Sequence, residues 1–427
     1  MPSDASFRRA ARRVLAPEVL ADLEAASRVA ATVGAPVLLV GGMVRDVLLG
    51  RPSSDLDLVV VGEPGALAAG LAAALSGRVA ATSELATWRL ELPAGRRLDL
   101  AAARRESYPA PGALPATAPA DLASDLARRD FSVNAMALKL GRRWSAVIDP
   151  HGGRADLAAG LLRVLHPASF RDDPTRVLRG IELAVRLGFD FEERTAGLAR
   201  AALAAGVLEA LSPARWQLAW QRAYAPLLRA GADAVARGLR LAEELGLLAA
   251  LSPGLTLAPA ALARAVRIAE RAAGTRLDDA RPARLLARAL AWEDGAAAAA
   301  LARRWPATAE TARWSSFPGR LAAARDQLAG GAEPAPSLLD AALSGFDAEE
   351  LDLLELEPGL AAALARYREI VLPFGLAITG HDLVGRGHPP GPGLGAALER
   401  TRRARLDGLL GADEELEYAC RQLEQER

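Results

Sequence analysis

The chain reads as an α+β protein: a head of mixed strands and helices, followed by an all-helical remainder. Three observations predict this. Short apolar runs bounded by glycine and proline, the mark of strands, occur in the first 155 of 427 residues. Beyond about residue 155 helical periodicity replaces them, and strands and helices followed by helices alone is an α+β pattern. Ala, Leu and Arg dominate a sequence that is 51% hydrophobic and 4% aromatic, a composition with high helix propensity. The length exceeds one compact core. The expected division is a head over 1–155, a helical neck over 156–225, and a helical body and tail over 226–427.

The elements follow in order. Residues 16–33 read as a helix, and Val37-Leu38-Leu39-Val40 as a buried strand ending in Gly41-Gly42. A short helix over 43–49 closes at Gly50 and Pro52, and a second strand runs from Asp55 to Val61. A helix at 65–75 precedes strands at 78–82, 87–92 and 97–103. The Pro-, Gly- and Ala-rich segment 107–120 reads as a mobile loop. A helical turn at 121–127 and an ordered element at 130–140 complete the head. The helical remainder breaks at Ser212-Pro213, Ser252-Pro253-Gly254, 331–336 and 386–393; the Ala-rich run 296–301 reads as an ordinary packed helix.

Bulk properties narrow the function. Net charge is zero, so no global field draws the chain to nucleic acid, and any RNA surface must be a local patch. The single cysteine, Cys420, excludes an intramolecular disulfide, and four scattered histidines give no zinc spacing. The N-terminus does not read as a secretory signal, and no apolar run is long and uncharged enough to span a bilayer. A cytoplasmic protein without an obligate protein partner is expected.

The chemistry concentrates in two stretches, Gly41-Gly42-Met43-Val44-Arg45-Asp46 and Asp55-Leu56-Asp57-Leu58. Side chains alternate along a strand, so Asp55 and Asp57 project together while Leu56 and Leu58 face a core. Two carboxylates that close repel, and a divalent cation relieves them. Mg²⁺ is a hard ion held by one or two carboxylates plus substrate phosphates. In nucleotidyl transfer such ions activate the attacking hydroxyl and neutralise the leaving pyrophosphate. Gly41 and Gly42 let the backbone approach a phosphate at a helix N-terminus, and Arg45 can add a bidentate contact. Alone, Asp-x-Asp is most often a solvated surface pair and Gly-Gly usually only a turn; the ordered combination is more specific.

That combination resembles the DNA polymerase β-type nucleotidyltransferase superfamily, and more closely the class II tRNA nucleotidyltransferase and bacterial poly(A) polymerase family. Arg128-Arg129-Asp130-Phe131-Ser132-Val133-Asn134-Ala135 resembles the family's second signature, with Ser132 in place of the usual Thr. The resemblance implies that Arg129 serves the nucleotide and that Asp130 and Asn134 shape the ribose pocket. Asp172-Asp173-Pro174-Thr175-Arg176-Val177-Leu178-Arg179 resembles the motif with which the family reads the incoming base. It implies that Asp173, Arg176 and Arg179 bind the nucleotide, Arg donating and Asp accepting, which suits C and A. Their spacing of three places them on one helix face; Asp173 before Pro174 is also a good helix cap. Glu182 stands where many members carry a further Arg, and no nucleotide role is carried to it.

Asp149-Pro150, Gly152-Gly153 and Asp156-Leu157 resemble the link into the neck, and Ile378-Thr379-Gly380-His381-Asp382-Leu383 the tail that contacts tRNA. Asp99 is either a third carboxylate or an edge-strand surface residue. Arg104, Arg105 and Glu106 resemble the loop base used in switching from C to A. Arg400, Arg402, Arg403 and Arg405 are the densest arginine cluster, either an RNA-binding surface or a solvated helix face. No His-Asp phosphohydrolase motif occurs, and residues 225–370 carry no signature. The resemblance therefore implies an Mg²⁺-dependent enzyme adding CCA to tRNA 3′ ends from CTP and ATP without a nucleic-acid template. An A-adding enzyme beside a separate CC-adding one, a poly(A) polymerase, or a non-catalytic RNA- or nucleotide-binding protein are the alternatives.

Overall fold

A computed structural model describes residues 4–32, 34–83, 87–272, 281–329, 333–357 and 359–425. The chain packs into two units, one of residues 1–227 and 237–250, the other of 228–236 and 251–427. The first holds a six-stranded sheet. Its strands are β1 (Val37–Val40), β2 (Leu56–Val60), β3 (Arg78–Ser83), β4 (Thr87–Glu91), β5 (Arg97–Ala102) and β8 (Ala137–Lys139), in the order β3-β4-β5-β2-β1-β8. β2 and β5 run parallel and the other neighbours antiparallel.

Strand alternation explains how one sheet face carries both a core and a site. Val59 packs with Leu38, Val40, Ala103, Leu126 and Ala137 in a buried cluster. Asp57 lies two residues earlier, on the same face, where the sheet leaves the cluster. Leu56 and Leu58 are buried on the other side. β5 lies between β4 and β2, so Asp99 is in an interior strand and not at an edge.

Residues 107–120 depart from expectation. β6 (Arg104–Ser107) and β7 (Ala116–Pro119) form an antiparallel hairpin in which Pro119 lies opposite Arg104. At a strand end the missing proline N–H breaks no ladder, so the composition tolerates pairing. The tip is tied down: the Gly112 N–H donates to the Arg171 carbonyl at 3.0 Å, and Arg215 donates to the Gly112 carbonyl.

The helices after residue 150 form as their periodicity predicts. Asp149 accepts from the Gly153 and Arg154 N–H groups at 2.7 and 3.0 Å and starts the helix Gly153–Ala159. Thr175–Leu187 packs Gly180 against Phe131 and Phe191 so closely that a Cβ there would lie 2.6–2.8 Å from their rings.

The second unit is helical throughout its described residues. The Ala-rich run is the helix Gly295–Arg303, capped by Asp294, with Ala297, Ala298 and Leu301 buried. Part of the break expected at 331–336 lies outside the described residues; a helix resumes at Pro336. A polar hub centres on the fully buried Glu350, which accepts from Arg288, Arg313 and Arg320. No helix among the described residues is long and apolar enough to cross a membrane.

Candidate active site

A cavity of about 910 Å³ opens in the first unit, lined by Asp55, Asp57 and Asp99 from the sheet side. Asp130, Asp173, Arg176, Arg179 and Arg215 line it from the loops and helices. Asp55, Asp57, Asp99, Asp130, Asp173, Arg176 and Arg179, expected from distant stretches of sequence, thus line one cavity. Asp57 stands in direct register with Asp99 on β5, and Asp99 with Arg89 on β4, giving one row of charges across three strands. Burial first, then the neighbouring Asp99 and Asp55, push the Asp57 carboxyl up to about 6. Arg129 and Arg179 offset this only in part.

Asp99 is placed beside the pair, but it is gripped by Arg89 through two hydrogen bonds of 2.9 and 3.0 Å. No group of three metal-capable side chains forms among the described residues. Asp55 and Asp57 remain a two-carboxylate donor set, which fits a hard cation that takes its other ligands from phosphates and water.

A layer behind the cavity holds the other expected residues. Gly41 has φ of 72°, and an added Cβ would lie 3.3 Å from Nη1 of Arg129 and 3.7 Å from Oδ2 of Asp57. Gly42 opens the helix Gly42–Leu48 and lies against the Arg45 guanidinium. Arg45 lies behind the turn and not on the cavity wall. It is 1% exposed and donates twice to Asp46 at 2.8 and 2.9 Å and once to Asn134. It braces the turn from behind because the carboxylate beside it in sequence captures its fork. Arg129 donates to the fully buried Asp125 at 2.9 Å, and Arg128 shares that carboxylate.

Asp130 accepts from Asn134 at 3.0 Å and from the Phe131 N–H at 2.8 Å. Burial alone would raise its pKa, but the Arg179 guanidinium and these hydrogen bonds hold it below the usual carboxylate value. The Ser132 hydroxyl donates to buried Asp156, so the Ser-for-Thr exchange keeps the group in use.

Asp173 precedes the helix and does not share its face. Its backbone is extended, at φ −134° and ψ 96°, because Pro174 disfavours a helical residue before it. Its carboxylate caps Thr175, accepting from the N–H at 3.1 Å and the hydroxyl at 2.7 Å, while still lining the cavity. Arg176, 6% exposed, donates to Ser169 and to the Arg128 carbonyl, each at 2.7 Å. Arg179 lies 3.5 Å from Asp130. Glu182 is buried and pairs with Arg186 at 2.8 Å.

Sequence reasoning missed Arg89, Arg97, Arg215 and Arg222 on the cavity wall. The signals were there. Arg89 and Arg97 alternate with buried Leu90 and Leu98, while Arg215 and Arg222 are seven apart, hence on one face of the helix Pro213–Ala230.

The arginine cluster at 400–405 lies in the second unit. Arg402 is bound to Asp340 and to the Phe374 carbonyl, and Arg405 to buried Glu415. Those two brace the tail internally and are not an exposed basic surface. Arg403 is exposed and pairs with Glu399; Arg400 is half-buried.

A β-type polymerase head with an Asp-x-Asp pair, joined to helices that line the same cavity, defines the class as a nucleotidyltransferase fold. Residues 37–163 match the poly A polymerase head domain. An A-adding tRNA nucleotidyltransferase of Halalkalibacterium halodurans is 46% identical over 166 residues, 39% of each chain. Among solved structures, a CCA-adding enzyme in its apo form aligns over 97% of both chains at 25% identity, TM-score 0.75. The Thermotoga maritima CCA-adding enzyme complexed with tRNA aligns over 100% of this chain and 99% of that one at 25% identity, TM-score 0.66. Over its head the chain thus matches the poly A polymerase type, and over its whole length it is similar in fold to CCA-adding enzymes. It spans from 21% to 51% of the length of the curated relatives it matches.

Proposed function

We propose that this chain adds C and A to tRNA 3′ ends from CTP and ATP, using Mg²⁺ and no nucleic-acid template. The observation that carries the reading is the single cavity walled by Asp55 and Asp57 on one side and by Asp173 and Arg176 on another. Asp55 and Asp57 would hold the cation, which when bound activates the attacking hydroxyl and offsets charge on the leaving pyrophosphate. Gly41 leaves room beside Asp57 that any Cβ would take. Arg129 and Asp130, braced by Asp125 and Asn134, border the nucleotide. Asp173 accepts and Arg176 donates to the base edge, a pairing that suits C and A. The solved relatives include a CCA-adding enzyme with ATP and one with CTP, which supports both substrates.

The test supplies tRNAs ending at the discriminator base, in C, or in CC, with labelled CTP or ATP separately. CCA addition predicts CTP use on the first two and ATP use on the third, all abolished by a chelator. Asp57→Ala is expected to lower incorporation at least a thousandfold while tRNA binding persists. Full activity in that variant would sink the mechanism. The name of the Halalkalibacterium relative supports a second reading, A-addition alone. ATP use on the CC-ended tRNA without CTP use on any would establish it.

A further inference from the structure

Most arginines of the cavity are already engaged. Arg89 grips Asp99, Arg176 binds Ser169 and a carbonyl, Arg179 pairs with Asp130, and Arg215 reaches Asp173 at 3.4 Å. Arg97 and Arg222 differ. Both line the cavity and are exposed, and among the described residues neither has a hydrogen-bond or ion-pair partner. Arg97 lies on β5 two residues before Asp99, hence on the same face as the carboxylate row. Arg222 lies on the helix Pro213–Ala230, seven residues after Arg215 and on the same face.

The geometry points to Arg97 and Arg222 as the site that receives phosphodiesters of the RNA's 3′-terminal strand. The inference rests on the nucleotidyl-transfer reading above and adds the binding residues that bring the primer in. An unpartnered guanidinium suits a ligand that arrives with its own negative charge, and arginine contacts phosphate oxygens bidentately. The nucleotide side of the cavity already has its donors and acceptors in Asp130, Asp173 and Arg176. The strand whose 3′ hydroxyl must approach the carboxylates supplies a second line of phosphates, and β5 carries Arg97 beside that row. Such contacts position the strand without reading its sequence, which fits an enzyme serving many RNAs. The tail cluster is a poorer candidate for this task, because Arg402 and Arg405 are committed to Asp340 and Glu415.

The test uses the full chain and the variants Arg97→Gln, Arg222→Gln and the double variant, with Arg142→Gln, an exposed arginine outside this cavity, as control. Equilibrium binding of a tRNA transcript ending in CC is measured against salt in the absence of nucleotide. ATP binding is measured separately in the absence of RNA. Each cavity variant is expected to weaken RNA binding about three- to tenfold and to flatten the log K against log salt slope by about 0.7. ATP affinity is expected to hold within about twofold, and the melting temperature to stay unchanged because neither side chain has a partner to lose. An unchanged salt slope, an equal loss in Arg142→Gln, or a loss confined to ATP binding would each overturn the assignment, the last giving these arginines to the triphosphate. These readouts do not need turnover. A chain that binds RNA through Arg97 and Arg222 yet incorporates nothing would refute nucleotidyl transfer while leaving this site standing.

Discussion

Asp57 carries the strongest electrostatic consequence at the scale of a residue. Its carboxyl is raised to about 6 by burial, then by Asp99 and Asp55. An unfolded aspartate ionises near pH 4, so between about pH 4 and 6 the unfolded chain releases this proton first. Folded stability therefore falls as pH rises through that window and stays lower above it. Asp57→Asn removes the cost. In chelator the variant is expected to be more stable than the parent by up to about 2 kcal/mol at pH 8, with the gap closing toward pH 4. Denaturant melts at several pH values check this, and a pH-independent difference would contradict it. Added Mg²⁺ is expected to raise the parent's stability and not the variant's, because only the parent keeps the full ligand pair. Arg45 teaches the complementary lesson: a charged side chain beside a phosphate-type turn can be neutralised by its own neighbour.

At the scale of an element, the helix Thr175–Leu187 is fixed by how tightly it meets the Arg-Arg-Asp-Phe-Ser segment. Phe131 is fully buried and packs against Phe170 and Phe191, with ring centroids 6.5 and 6.3 Å apart. Gly180 is the point of closest approach, its missing Cβ being space that Phe131 and Phe191 occupy. Gly180→Ala suits the helical backbone but forces the rings or the helix outward. A net loss of about 1–3 kcal/mol is expected from overpacking, despite alanine's better helix propensity. Because Arg176 and Arg179 ride on this helix, nucleotide KM should rise more than kcat falls. Thermal melts and steady-state kinetics check both, and a stabilised variant with parental KM would show that the contact is slack.

For the whole molecule, the two units rest on different physics. Both bury ion pairs, but only the first also gathers charges around the cavity described above, whereas the second centres them on Glu350. Glu350 is fully buried and its pKa is lowered to about 2: burial opposes ionisation, but Arg320 and Arg313 and a backbone N–H prevail. A carboxylate depressed from 4.5 to about 2 stabilises the fold above the unfolded value and loses that contribution as pH falls between them. Glu350→Gln leaves three guanidiniums without their shared anion. A loss on the order of 3 kcal/mol is expected at pH 7, shrinking as pH approaches 3. All residues lining the cavity belong to the first unit, so on the proposed function ATP binding below the melting transition should not change. Calorimetry with and without ATP tests both halves of this prediction.

Local rules made much of this protein legible. Period-two alternation placed Asp55 and Asp57 on one face, the positive φ at Gly41 matched the glycine there, and Asp173-Pro174 announced a helix start. Each depends on residues within a few positions of one another. The α+β order of head and helices was legible for the same reason. The remainder required partners far apart in sequence. The sheet order placed Asp99 in an interior strand under Arg89, and nothing within β5 encodes which strand lies beside it. The hairpin at 104–119 looked irregular because alanine and proline carry little strand propensity; its tip is held by Arg171 and Arg215 from elsewhere in the chain. Whether an arginine is spent or free is likewise a tertiary matter. Arg45, Arg402 and Arg405 are consumed by carboxylates, while Arg97 and Arg222 are left facing the cavity. Sequence by itself determined the paired carboxylates, the glycine turn and the α+β order, because those reside in local pattern. Tertiary structure alone decided which charges remain available, because ion pairing is set by distances across the fold.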